Sequence, residues 1–214
     1  MDAAGVVDAM VARFDAVPTS PDWRQRADAA VEALDARGLR KAGRVGIEVG
    51  AWKGDFSRAL LRPPSALTLH LVDRWATVPP YKHQTRDLRH ANRTIHERNY
   101  AAVEALRDSL PLGHVVLHAN SSLNAAAKFA HSSVDFVYLD ADHRREAVER
   151  DLKAWWPTLT PDGVLLGHDF GPLCVPHKCV RGAVDAFLGG RQGVHLARLP
   201  GQQFLLHTGE RRRH

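Results

Sequence analysis

Apolar residues recur along this chain with two different periods. Val6, Val7, Met10, Val11 and Phe14 fall at helical spacing, as do Ala27, Ala30, Val31 and Leu34 within Asp22 to about Leu39. Pro18 through Pro21 interrupts the two helices, Ser20-Pro21 starts the second, and Gly38 supplies its C-cap. From Arg44 the pattern shifts to short apolar runs. Val45–Val49, Leu67–Val72, His114–Leu117, Val134–Leu139 and Val164–Leu166 read as strands. Helical stretches lie between or after them, near 55–61, 87–109, 122–130, 144–156 and 181–188. Val194–Leu199 and Gln203–His207, joined by Pro200-Gly201, read as a closing antiparallel pair. Alternating strands and helices predict an α/β fold, doubly wound, with a mostly parallel seven-stranded sheet, an antiparallel last strand and N-terminal helices. Residues 1–40 are expected to form a helical extension packed on the core. Residues 41–210 form the main domain and 211–214 a basic tail.

Composition narrows the class. The chain has 214 residues, 44% hydrophobic and 25% charged, enough for one domain with a real core and too apolar for disorder. No run approaches the ~18 apolar residues of a membrane helix. Asp2 and Asp8 stand where a signal peptide would carry basic residues. Two cysteines cannot build a disulfide framework, so two ordinary thiols and a cytoplasmic location are expected. The formal charge is +5, and there are 13 histidines. That charge permits an anionic ligand, but no nucleic-acid recognition motif accompanies it. Membrane partners are not expected, and a homo-oligomer is compatible with the sequence.

In open α/β sheets, ligands lie at the carboxyl ends of the strands. The first strand ends Glu48-Val49-Gly50-Ala51-Trp52-Lys53-Gly54. An acid followed by G-x-x-x-G is unlike the pyrophosphate cradle G-x-G-x-x-G and suits a cationic ligand such as a sulfonium or ammonium. The second strand ends Val72-Asp73-Arg74-Trp75, where a carboxylate can accept from a ribose diol and an indole can stack on a purine. The third ends at Asn120-Ser121, within reach of a base edge.

The ordered set Glu48-x-Gly50-x-x-x-Gly54, Val72-Asp73-x-Trp75, Tyr138-Leu139-Asp140-Ala141-Asp142-His143, and Pro161-Asp162-Gly163 with Gly167-His168-Asp169-Phe170 resembles the class I S-adenosylmethionine-dependent methyltransferases, which are Rossmann-like. Within them it is most similar to the small-molecule group that includes caffeoyl-CoA-type and macrolide- or aminocoumarin-sugar O-methyltransferases. The resemblance covers roughly residues 44–188. It implies that Gly50 and Gly54, with Trp52 between them, hold the methionine portion of the cofactor, and that Glu48 faces its amino group. It likewise implies that Asp73 takes the ribose hydroxyls and that Asn120 and Ser121 lie near the adenine, with Asn120 where the family often has Asp. The implied reaction is O-methylation of a small hydroxylated metabolite. An RNA or protein methyltransferase, or an inactive cofactor-binding module, is the alternative.

Asp140, at the end of the fourth strand, should converge with His168 and Asp169 at the end of the fifth and with Asp142 and His143 in the adjoining loop. Oxygen-rich sets bind Mg²⁺ or Mn²⁺, and an imidazole admits other divalent metals. The resemblance implies Asp140, His168 and Asp169 as metal ligands, although His168 replaces a carboxylate. That exchange either shifts metal preference or leaves the histidines as bases. We expect Asp140, His143 and His168 to be catalytic, with His143 the leading base and Asp140 also bordering the cofactor. The alternative is that Asp140 and Asp142 cap the helix at Arg144, a role that is compatible with catalysis for Asp142 and less so for Asp140. Cys174-x-x-His177-x-Cys179 with His168 offers four zinc ligands at a spacing that matches no recurrent zinc module. Lys82, Arg86, Arg89, Arg93 and His96 form one helical stripe, read as a solvated face or as cations for an anionic methyl acceptor.

Overall fold

The computed structural model describes residues 23–77, 93–111, 113–175 and 178–209. Helix α1 (Trp23–Ala36) precedes β1 (Val45–Val49), α2 (Asp55–Leu60), β2 (Thr68–Asp73) and α3 (Arg93–Asp108). Then follow β3 (Val115–Ala119), α4 (Ser122–Ala126), β4 (Val134–Leu139), α5 (Arg145–Trp155) and β5 (Leu159–Gly167). Helix α6 (Val180–Gly189) and strands β6 (Val194–Leu199) and β7 (Gln203–Thr208) complete the order.

The strands form one seven-stranded sheet in the order β3-β2-β1-β4-β5-β7-β6. β1 pairs in parallel with both β2 and β4, so strand order reverses between them. β7 runs antiparallel between β5 and β6. The predicted α/β class and seven-stranded topology are both observed. Every residue of β4 is buried, as a central strand covered on both faces must be. Its alternate side chains divide between two cores. Phe136 and Tyr138 join Leu34, Phe56 and Val103 on one face, while Val137 and Leu139 join Leu152, Trp155 and Phe187 on the other.

Two boundaries differ from the sequence pattern for local reasons. β5 begins at Leu159 rather than Val164, because a register shift against β4 between Val134 and Phe136 absorbs Pro161-Asp162-Gly163 as an irregularity within the strand. Helix α4 stops at Ala126, where the N–H groups of Lys128 and Phe129 turn back to carbonyls only three residues earlier. The expected helix at 6–14, the stripe positions Lys82, Arg86 and Arg89, and the 211–214 tail lie outside the described residues.

Candidate active site

The reversal between β1 and β4 brings the β1 turn against the end of β4. Gly50 takes φ +94°, and a Cβ there would run into the backbone carbonyl of Asp140. Glycine is required here by the approach of two strands. Gly54 takes φ +83°, and its missing Cβ makes room for Val103 of α3. Between them, Trp52 adopts a left-handed backbone at φ 52°, a conformation that non-glycine residues hold only when their surroundings enforce it. Asp73 does so: one oxygen accepts from the Trp52 N–H at 2.9 Å and the other from the Trp75 N–H at 3.0 Å. Each oxygen keeps a lone pair for a ligand hydroxyl, and the residue is half-buried.

Glu48 lies beneath this turn, 2% exposed, and accepts from Ser57 Oγ at 2.5 Å. Burial pushes its pKa from 4.5 to about 8, against the Ser57 hydrogen bond and with help from the Asp140 charge. Asn120 Oδ1 accepts from the Ser121 N–H at 2.9 Å, and Ser121 Oγ caps α4 by accepting from Asn124 N–H. Trp75 corrects the expectation of a purine platform. It is 8% exposed, its indole N–H donates to the Trp52 carbonyl at 2.7 Å, and its ring packs on Tyr100.

Around the end of β4 the geometry is ionic. Asp140 Oδ1 lies 3.2 Å from His143 Nε2 and 3.5 Å from His168 Nδ1. Its Oδ2 accepts from Arg26 of α1 at 2.9 Å. Asp169, in a left-handed backbone at φ 59°, places Oδ2 3.2 Å from the same His143 nitrogen and Oδ1 2.7 Å from Lys178 Nζ. Burial opposes the Asp140 charge, but the hydrogen bonds from His143 and His168 and the Arg26 charge hold its pKa well below the carboxylate range. Burial also opposes a charge on His143, and the two carboxylates outweigh it, raising that pKa above 6.5. Ligand atoms of Asp140, His143 and Asp169 all lie within 4.8 Å of one another. Two carboxylates and one imidazole at that spacing fit a divalent metal of the Mg²⁺ or Mn²⁺ kind. The expected convergence of His168 with both carboxylates is present, its Nδ1 lying 3.5 Å from Asp140 and 3.4 Å from Asp169, and His143 joins the same two carboxylates in the tighter group. Asp142 turns away and pairs with Arg144.

Sequence reasoning missed Arg26 and Lys178, because neither belongs to a motif and Arg26 is separated from Asp140 by 114 residues. It also misread the cysteines. Cys174 and Cys179 are joined in a disulfide, which removes both the two-thiol expectation and its argument for a reducing compartment, and takes both sulfurs from any zinc site. His177 lies outside the described residues. His96 belongs to the buried face of α3 with Val103 and Leu106, edge-on to Trp52 at 5.5 Å, and so leaves the basic stripe. Arg93 is exposed and pairs with Glu97. Among the described residues no helix is long and apolar enough to cross a membrane.

Residues 47–170 match the methyltransferase domain family. No curated protein sequence matches the chain. The fold is similar to that of the calicheamicin methyltransferase CalS11, at 17% identity and a TM-score of 0.63 over 97% of this chain and 92% of that one. It is also similar to the SAH-bound methyltransferase PaMTH1 of Podospora anserina, at 14% identity and a TM-score of 0.58 over 98% and 89% of the two chains. The O-methyltransferase NovP follows at 16% identity and 0.54 over 98% and 100%. With more than half of its length matched, the chain belongs to the methyltransferase domain family and is an S-adenosylmethionine-dependent methyltransferase.

Proposed function

We propose that this methyltransferase O-methylates a small, anionic, hydroxylated metabolite with the help of a divalent metal held by Asp140, His143 and Asp169. The observation that carries the reading is the convergence of those three ligand atoms within 4.8 Å at the strand ends. The resemblance to small-molecule O-methyltransferases supports the choice of oxygen as the acceptor atom. Arg26 and Lys178 border the cluster and give an acidic acceptor two cations to approach.

Asp73 takes the cofactor's ribose hydroxyls with its free lone pairs. The Gly50–Gly54 turn holds the methionine portion, with Glu48 below it, and Asn120 and Ser121 lie toward the adenine. Methyl transfer from a sulfonium is an in-line displacement, so alignment of the acceptor oxygen supplies much of the rate. A divalent metal, when bound, lowers the pKa of an acceptor hydroxyl. His143 serves as a ligand in this arrangement. His168 turns Nδ1 to the carboxylates, 3.5 Å from Asp140 and 3.4 Å from Asp169, and is then the imidazole left to receive the proton, on its other ring nitrogen Nε2.

The test uses labelled S-adenosylmethionine with a panel of small hydroxylated carboxylic acids. Asp140→Ala should lower transfer about 100-fold or more while the thermal shift produced by S-adenosylhomocysteine persists. Transfer that survives this substitution overturns the reading.

A further inference from the structure

The two carboxylates of the cluster divide their oxygens in the same way. Asp140 turns Oδ1 inward to His143 and gives Oδ2 to Arg26. Asp169 turns Oδ2 inward to His143 and gives Oδ1 to Lys178. The inner triangle of Oδ1, Oδ2 and the imidazole nitrogen is the seat that fits a metal, and a cation grips the outer oxygen of each carboxylate. Arg26 is the more enclosed of the two cations, and the 43% exposed Lys178 is anchored through its backbone. Arg26 is 17% exposed along its side chain, its carbonyl accepts from Gln203 Nε2 at 3.0 Å, and its Cβ and Cα pack closely against Gly201. Arg26 Nε is buried with no hydrogen-bond partner among the described residues, so Asp140 is the anion that holds this guanidinium in place. Lys178 is tied by a two-way backbone bridge to Val175, and the N–H of its neighbour Cys179 donates to the His143 carbonyl at 2.9 Å.

We propose that Arg26 and Lys178 are built-in counter-ions of the metal seat, which hold its carboxylates ready before a metal arrives and keep the metal's affinity low after it has bound. This rests on the metal reading of the preceding section. The two guanidinium and ammonium charges cancel the two carboxylate charges, so a dication enters a seat of nearly zero net charge. Each cation remains one carboxylate away from the metal, close enough for repulsion to dominate. Such repulsion between charges a few ångströms apart outweighs the modest ordering gained from one hydrogen bond. The consequence is a metal that exchanges readily instead of one locked in place. The two residues act through Asp140 and Asp169 and are therefore positioning residues.

Calorimetric titration of the full chain with Mn²⁺ alone, without cofactor or acceptor, tests this. Arg26→Gln and Lys178→Gln should each tighten Mn²⁺ by about tenfold or more, Arg26→Lys should keep the parent affinity, and Asp140→Asn should abolish binding. A gain of affinity cannot arise from damaged folding, which separates the proposal from a merely structural role for Arg26. If the parent binds Mn²⁺ through Asp140 but Arg26→Gln and Lys178→Gln bind it equally or more weakly, the counter-ion proposal falls and the metal reading stands. If the parent and all these variants fail to bind Mn²⁺, the metal reading falls and the proposal with it.

Discussion

The two halves of the sheet's carboxyl edge are built by different physics. At the ends of β1 and β2, the site is held by uncharged N–H and O–H donors to carboxylate side chains. Asp73 fastens Trp52 and Trp75, and Ser57 holds Glu48 from nine residues away. At the ends of β4 and β5, it is held by charges, Arg26 from the distant helix α1 and Lys178 from the segment before α6. The first half needs few partners and tolerates a neutral buried acid. The second concentrates two carboxylates that would repel one another without their cations. On the proposed reading, the first half binds the cofactor and the second carries the reaction.

The halves meet at Gly50, so the strongest way to break the comparison is to place a side chain there. Gly50→Ala puts a Cβ against the Asp140 backbone in a left-handed conformation. We expect a loss of about 3 kcal/mol, roughly 6–12 °C in Tm for a domain of this size, together with loss of both cofactor binding and transfer. Gly43→Ala, also left-handed but with nothing within 4 Å of its Cβ, should cost only about 1 kcal/mol. Equal losses in thermal unfolding would show that backbone conformation alone, and not the strand approach, makes Gly50 necessary.

Glu48 sharpens the contrast by its pH dependence. Its folded pKa of about 8 lies above the ordinary 4.5. The stability it contributes is therefore fully present below about pH 4.5 and is lost as pH rises through 8. Glu48→Gln keeps an acceptor for Ser57 and removes the titration. Without cofactor, urea unfolding should find the variant equal to the parent near pH 4 and more stable by about 2 kcal/mol or more at pH 8. A difference that does not change with pH would mean that Glu48 is charged in the folded protein.

The smallest effect is expected at Asp73. Asp73→Asn keeps one acceptor oxygen for two backbone N–H groups and should weaken S-adenosylhomocysteine about tenfold, by 1–2 kcal/mol. Asp140→Ala should leave that affinity nearly intact. If the two substitutions weaken S-adenosylhomocysteine alike, the division into a binding half and a reacting half is wrong.

Much of the first half was legible from residue patterns. Glu48, Gly50 and Asp73 stand at the ends of strands that their own apolar alternation announces, Gly54 starts the helix that follows, and local turn chemistry then places them. Trp75 was misread because an indole beside a ligand loop and an indole in the core have the same sequence signature. Only packing against Tyr100 and Trp52 distinguishes them. His96 was misread because a 3–4 spacing continues past the boundary between a helix's wet and dry faces. The second half was legible in its motif residues and not in their partners. Nothing local marks Arg26 as different from the neighbouring arginines Arg24 and Arg37 of the same segment.

By itself, then, the sequence determined the alternating α/β fold, its seven strands, and the acids and glycines that sit at the strand ends. Apolar periodicity and turn residues are local properties, and burial acts on them segment by segment. Tertiary structure alone decided that His143 completes the Asp140–Asp169 triangle and that Arg26 and Lys178 balance its charge. It also decided that Cys174 and Cys179 pair. Coulombic and covalent partnerships depend on distances and directions between side chains, which the folded path of the backbone sets and residue types along the chain do not.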